Sequence, residues 1–401
     1  MQKVDVLVVG AGPSGSAAAK KCVDGGLKTL LIDKRALPRR KACSGIIDNV
    51  SHNYVLENFG PIPEKAFSRP NISRGMAFYF PSVGTVFADV DCYMPYVWRD
   101  KFDHFLATSS GAEIQEKTRF VLLEQKGEGI EAVLEYNRKP VKVRARYVIG
   151  ADGGYSRVIL SFAPEVYRDL PFAFACQKYF EGTIDADDRH LYWFLTPTMG
   201  PFPWLNIKDG QIVIGLGMLH GEKFNPKFNR LLDLLKTRFG LRIKRELAIE
   251  SCLVNTMTAL NRFFPGRGRV LMVGDAMGLM HQGHCSISCA LVSGGYAGQA
   301  IVEAAEKGID PLARYKGLVR PEMETCLDQF NPLRMKATAA SSTSHQPGFF
   351  HGLSTVDRAK ALRDALLFLK SEFKIQGMTP VLLRNMLYRL IFRRYDIPAA
   401  Q

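Results

Sequence analysis

Val4-Asp5-Val6-Leu7-Val8-Val9-Gly10-Ala11-Gly12-Pro13-Ser14-Gly15 decides how this chain begins to fold. Residues 4–10 are a largely apolar, β-branched run, as a parallel strand buried on both faces requires. The turn G-x-G-x-x-G spans Gly10 to Gly15 and leads into a helical stretch that starts at Ser16. A second buried strand, Leu27 to Ile32, ends on Asp33. Gly10 permits the tight turn, Gly12 lets the backbone approach a pyrophosphate, and Gly15 lets the helix pack closely on the strand. Ser14 lies inside the turn. The helix N-terminus then offers N–H groups and a positive dipole end to phosphates. Asp33 stands 18 residues after Gly15, where a carboxylate can hold ribose hydroxyls. The expectation is a dinucleotide-binding α/β unit.

The rest of the composition fits that start. The chain has 401 residues, with 47% hydrophobic and 23% charged, which excludes disordered, collagen-like and small disulfide-stapled classes. Lys and Arg number 53 against 39 Asp and Glu, a net charge of +14. That favours an anionic partner: a phosphate-rich cofactor, an acidic membrane surface or nucleic acid. No basic-aromatic module of the kind that stacks bases occurs, so no nucleic acid is expected. There is no run of about 18 apolar residues and no secretory pattern at the start. Eight cysteines without a CxxC pair point to reduced thiols and a cytoplasmic protein.

Two later segments repeat the grammar of a strand ending in an acidic turn. Arg146 to Gly150 runs into Ala151-Asp152-Gly153, followed by Ser156 and Arg157. Arg269 to Val273 runs into Gly274-Asp275-Ala276, followed by Gly278 and a long helix. Between the first and second motifs, Arg99-Asp100-Lys101-Phe102-Asp103 opens a helix, and Lys41-Ala42-Cys43-Ser44-Gly45-Ile46 forms a short loop. Taken singly, an Asp-Gly after a strand is a turn, and an Arg four residues before an Asp is a helix ion pair.

In this order along one chain, the motifs resemble the geranylgeranyl reductase family of FAD-dependent oxidoreductases, within the flavoprotein group that includes aromatic hydroxylases. The resemblance covers roughly residues 1–310. It implies FAD as cofactor, with Asp275 on the ribityl chain, Asp152 and Gly153 near the pyrophosphate, and Arg99 near the phosphates. It also implies that the Cys43–Gly45 loop lies beside the flavin and that the block containing Phe202 and Trp204 lines a prenyl tunnel. Such enzymes reduce isolated C=C bonds of polyprenyl chains. The chain departs from the family after Gly274-Asp275: Met280 to Ser288 carries one glycine and no proline.

The fold implied is α/β: a Rossmann-like FAD-binding domain, an inserted antiparallel β-sheet substrate domain and a C-terminal helical region. The FAD-binding domain would be discontinuous, comprising 1–75, 99–158 and 266–330. The substrate domain would comprise 76–98 and 159–265, with a helical region over 331–401. Residues 76–80 and 85–90 read as two short strands, and 118–150 as a meander leading back into the Asp-Gly strand. Ala337 to Gly348 reads as a linker. Beyond it Ala359, Leu362, Leu366, Leu369 and Phe373 mark a helix face, capped by Ser354 or Thr355 and ended by Gly377. A final helix over 379–395 either lies on an anionic membrane, making the protein peripheral to its inner face, or packs on the body.

Flavin does the hard chemistry and the protein positions it. An alkene that receives hydride at one carbon needs a proton at the other, and Cys43 is the candidate donor; the alternative for Cys43 is a small buried hydrophobe. Cys285 either packs or has a redox role. His281, His284 and Cys285 lack a second ligand group at suitable spacing, so no metal is expected. No second G-x-G-x-x-G occurs, so electrons come from transient NAD(P)H or a ferredoxin-type carrier, for which Lys34, Arg35, Arg39, Arg40 and Lys41 offer a basic loop. Two competing readings are a flavin-dependent aromatic monooxygenase and a non-catalytic flavoprotein scaffold.

Overall fold

The structure is a computed structural model describing residues 1–281, 286–330 and 353–372. The first layer is an eight-stranded sheet. Its parallel centre is β1 (Gln2–Val9), β2 (Thr29–Ile32), β8 (Lys139–Gly150) and β15 (Val270–Met272), with β5 (Glu113–Gln115) at one edge and β14 (Gly266–Arg267) at the other. The meander expected over 118–150 is β6 (Thr118–Lys126), β7 (Gly129–Tyr136) and β8. The centre is buried on both faces: Val6, Leu7, Val8, Leu30, Leu31, Val148, Ile149, Leu271 and Met272 are inaccessible or nearly so. This is why these strands read as unbroken apolar runs rather than alternating ones.

Helix α1 (Pro13–Asp24) packs on α6 (Ser286–Lys307). The contact needs small residues. A Cβ on Gly294 would strike the Ser14 carbonyl, and one on Gly298 would stand 2.8 Å from the Ala18 carbonyl oxygen. Helix α7 (Pro311–Phe330) packs on α6, and the Tyr315 hydroxyl donates to the Met272 carbonyl at 2.9 Å.

The second layer is a seven-stranded sheet in the order β13-β9-β12-β11-β10-β3-β4. Its strands are β3 (Phe67–Phe80), β4 (Gly84–Val97), β9 (Phe172–Thr183), β10 (His190–Phe194), β11 (Trp204–Lys208), β12 (Gln211–Leu219) and β13 (Arg242–Asn255). One pair, β3 with β10, is parallel; the others are antiparallel. The chain leaves this sheet after β4, builds β5 to β8 in the first layer and returns, so β3 and β10 meet without a hairpin to set them opposed. Strands β3 and β4 are longer than the segments 76–80 and 85–90. The added residues 67–75 and 91–97 contain Pro70 and a register shift between Ser73 and Gly75, which interrupt the alternation that periodicity detects.

The described part of the C-terminal region is α8 (Thr355–Glu372). Ser354 caps it by accepting from the Asp357 N–H at 3.1 Å. Its buried face is Ala361, Asp364, Ala365, Phe368, Leu369 and Glu372; of the expected stripe Leu369 is on that face, whereas Ala359 is exposed and Leu362 and Leu366 are half-buried. Phe368 and Leu369 pack in one apolar cluster with Phe78, Phe80, Trp193 and Trp204, and Asp364 accepts from Ser82 N (2.7 Å) and Oγ (2.9 Å). One large aromatic and a buried carboxylate thus outweigh two leucines in setting the helix's rotation. The linker at 337–348, Phe373, Gly377 and the final helix at 379–395 lie outside the described residues. Among the described residues no helix is long and apolar enough to cross a membrane.

Candidate functional site

Strand register brings the glycine turn and the two acidic turns together. Val9 of β1 is opposite Gly150 of β8, and Gly150 is opposite Met272 of β15. The three strands therefore end side by side and release Gly10, Asp152 and Asp275 at one edge. Chain order reverses between β1 and β8, since β2 lies on the other flank of β1. Ligands of open α/β sheets bind at such a switch point, outside the carboxyl ends of the strands.

A cavity of about 820 Å³ opens there. Gly10, Gly12, Ser14, Asp33, Asp152, Gly153 and Asp275 line it from the turns of the first sheet, Phe202, Trp204 and Trp193 from the second sheet, and Cys43 and Arg99 join them. Of the sequence-selected residues, Gly15, Gly45 and Gly274 stand behind this wall. Gly15 is packed so tightly on Gly10 that a Cβ would strike the Gly10 carbonyl. Gly274 (φ +56°) lies where a Cβ would be 3.1 Å from Ser14 Oγ, and its N–H donates to Ser293 Oγ at 3.0 Å. These two glycines therefore let motifs touch one another.

The glycine end fits the bound form of an extended, diphosphate-bearing cofactor. Helix α1 has no side-chain cap, so its first-turn N–H groups face the cavity end. At Gly12 the nearest other atom to a Cβ would be an Arg39 nitrogen, 3.5 Å away, and at Gly153 there is open space. Asp152 Oδ2 accepts from Arg157 N (2.6 Å) and Val158 N (3.2 Å), while Oδ1 is buried without a partner; burial pushes this carboxyl above its ordinary value. Asp33 Oδ2 accepts from Ala11 N (3.2 Å) and Arg39 Nε (2.8 Å), and Oδ1 from Arg35 N (2.9 Å). A carboxylate has about four acceptor sites, so one remains on Oδ1 for a hydroxyl. The Asp275 carbonyl is held by Asn255 Nδ2.

Arg39 continues this network inward. It bridges Asp33 and Asp103 (3.2 Å), and Asp103 in turn takes a two-pronged pair from Arg99 at 2.8 and 3.0 Å. The helix ion pair expected as the plain reading of Arg99 is thus present. Burial pulls the Arg99 guanidinium down, but Asp103 and a hydrogen bond to the Cys43 thiol hold it above its ordinary value. Cys43 Sγ also accepts from the Gly45 N–H at 3.4 Å. Gly45 (φ +81°) leaves no room for a side chain, because a Cβ would collide with the Val97 carbonyl and crowd Lys208 Nζ.

Lys208 was not evident from motif reading. It is 2% exposed and donates to the carbonyls of Val97 (2.5 Å) and Ser44 (3.1 Å), with its ammonium 4.4 Å from the Trp98 ring centroid. Burial lowers it from 10.5 to about 8. Asn206, two residues earlier on the same face of β11, donates to the Ser44 carbonyl at 3.2 Å. The available signal was alternation: Trp204, Asn206 and Lys208 share a face, and two polar residues inward on a buried strand are unusual. A second cavity of about 200 Å³ lies beyond Cys43, lined by Lys208, Trp98, Tyr179 and Glu250 as well as Cys43 and Arg99. Cys43 and Arg99 are therefore in the partition between two cavities. Cys285 and His284 lie outside the described residues.

Comparison with known proteins agrees with this geometry. Residues 3–165 match the FAD binding domain family. Over 312 residues the chain is 28% identical to a digeranylgeranylglycerophospholipid reductase of Methanocaldococcus jannaschii, covering 74% of this chain and 77% of that one. It is 28% identical over 365 residues to the reductase of that name from Thermoplasma volcanium, covering 81% and 85%. Among solved structures, a geranylgeranyl bacteriochlorophyll reductase-like protein of Thermoplasma acidophilum superposes with a TM-score of 0.71 at 21% identity, covering 98% and 100%. A p-nitrophenol 4-monooxygenase of Pseudomonas putida shares the fold at TM-score 0.63 and 15% identity, covering 98% of this chain and 100% of that one.

Proposed function

We propose that this chain is an FAD-dependent oxidoreductase of the geranylgeranyl reductase kind and saturates C=C bonds of a prenyl or other lipid-like substrate. The observation that carries the reading is a cavity of about 820 Å³ whose lining joins the glycine turns and basic side chains to a thiol and to apolar and aromatic residues. Gly10, Gly12 and Gly153 would admit the cofactor's backbone, the α1 N-terminus its phosphates, Asp33 a ribose hydroxyl and Asp275 the ribityl chain. Bound there and reduced, the flavin would contribute hydride-transfer chemistry.

The chain's own task is the proton and the fit. Cys43 Sγ is the proton source for the second carbon. The thiolate left behind is stabilised by the Gly45 N–H, by Arg99 and by the nearby Lys208 ammonium. The smaller cavity gives Cys43 a route for reprotonation from solvent, past Lys208 and Glu250. Trp204, Phe202, Phe174 and Leu219 form an apolar bed for the chain; Trp193 and Phe202 meet edge to face at 6.2 Å. The electron donor is NAD(P)H or a ferredoxin-type protein attracted by the exposed Lys34, Arg35 and Arg40, Arg39 of the same loop being taken up by Asp33 and Asp103.

The test is anaerobic photoreduction of the flavin followed by mixing with a geranylgeranyl lipid. Reoxidation by the lipid, slowed in Cys43→Ala without loss of flavin, supports reduction. Substrate-dependent oxygen consumption on adding air would instead establish the monooxygenase reading, and inertness to both the scaffold.

A further inference from the structure

Behind the cavity wall is a group of side chains that the oxidoreductase chemistry does not use. His281, Cys289, Glu322 and Cys326 bring one nitrogen, two sulfurs and one carboxylate oxygen within 4.8 Å of one another. They come from three places. His281 follows the Gly274-Asp275 turn, Cys289 is in the first turn of α6, and Glu322 and Cys326 are on α7. Four residues apart on a helix, Glu322 and Cys326 project from one face. Glu322 and Cys326 lie some 40 residues beyond His281 in sequence, and only the α6–α7 packing delivers them.

We propose that these four residues form a zinc site that ties α7 and the start of α6 to the segment closing the cofactor cavity. The donor set of two thiols, an imidazole and a carboxylate matches a closed tetrahedral zinc site, and the thiols discriminate against magnesium and calcium. Ligand separations up to 4.8 Å close to roughly 3.5 Å around an ion with bonds of about 2.0–2.3 Å, a shift that side chains can make.

Three further features fit a site built for a cation. Both sulfurs are wholly buried, with Cys289 Sγ 3.3 Å from the Ser286 carbonyl. His281 Nε2 and Glu322 Oε1 pair at 2.9 Å as an ion pair that a cation would replace, and neither atom has another hydrogen-bond partner among the described residues. Ser288 Oγ stands 3.4 Å from His281 Nδ1; accepting the Nδ1 proton, it would leave Nε2 free to coordinate, as outer partners of zinc-bound histidines do. Binding would release both thiol protons and the His281 Nε2 proton shared with Glu322, and place two thiolates, one carboxylate and a neutral imidazole around the ion. His281 also lines the large cavity beside Met280 and Ser286, so the ion would brace the wall next to Asp275. This inference rests on neither the flavin reading nor the substrate reading.

The experiment is metal analysis of the full-length protein purified without chelator from zinc-supplemented cells. About one zinc per chain is expected, lost in Cys289→Ser and in Cys326→Ser and retained in Cys176→Ser, a cysteine of the other sheet. Glu322→Gln should keep the fold and weaken retention against a chelator about 10–100-fold, a loss comparable to that of supporting groups at zinc sites. If the serine variants fail to fold, cobalt exchanged into the unaltered protein gives a second readout: thiolate-to-cobalt charge-transfer and tetrahedral absorption are expected. Metal-free protein with no cobalt spectrum, whose Cys289 and Cys326 label as free thiols on unfolding, would overturn the proposal. So would recovery of the two cysteines as a disulfide.

Discussion

The two ends of the large cavity are built on different principles. At the glycine end the main chain makes the wall. Gly10, Gly12 and Gly153 contribute backbone, and strand register aligns their turns. Around Cys43 side chains make the wall: Arg99, Lys208 and Asn206 reach in from α3 (Arg99–Thr108) and β11 to hold one loop. The first end is specified by what cannot be present, a Cβ. The second is specified by buried charges that must find each other. Substitutions should therefore fail differently at the two ends.

The largest effect belongs to Gly15→Val. Its side chain has nowhere to go against the Gly10 carbonyl, so the strand–helix contact must open; loss of flavin with loss of soluble folded protein is expected on gel filtration with absorbance detection. Arg39→Met comes next. It strips the bridge between Asp33, 5% exposed, and Asp103, fully buried, and removing one member of a buried ion pair costs about 3–5 kcal/mol. Urea unfolding of both proteins measures it; a midpoint unchanged from that of the unaltered chain would show that Arg99 alone satisfies Asp103.

Lys208 gives a pH signature. Its folded value, about 8, lies below the ordinary 10.5, so between those pH values the unfolded chain binds more protons and stability rises with pH. The rise is up to about 3 kcal/mol, complete near pH 10.5, and the burial penalty is fully present below pH 8. Lys208→Met should lack this rise when unfolding is followed across the window, and parallel curves for the two proteins would contradict the buried-ammonium account. The smallest effect is expected for Arg74→Ala on the exposed pair with Asp89, half exposed on both sides: about 0–1 kcal/mol, the baseline for the others.

Legibility in sequence follows the same division. The glycine turn, Asp33, Asp152–Gly153 and Gly274–Asp275 were readable because each obeys a local rule of strand, turn and helix over a few residues. The doubly wound sheet follows from them. The Cys43 surroundings were only half readable. Cys43 and Arg99 were picked out by resemblance, but Lys208 joins them through β11, more than 160 residues after the loop it holds, and no local spacing encodes that. The face of α8 was misjudged because periodicity weighs Leu362 and Leu366 equally with Phe368, and ignores the hydrogen bonds that bury Asp364. The four potential zinc ligands were invisible for the Lys208 reason: two helices had to pack first.

The most direct measurement is a single turnover of the reduced protein with a geranylgeranyl lipid in deuterated water, read by mass spectrometry of the lipid. The account predicts two deuterium atoms per saturated bond, one delivered through the solvent-exchanging N5 position of the flavin and one through Cys43, with slower saturation in Cys43→Ala. A lipid recovered unchanged, or a product that has gained oxygen, would contradict it.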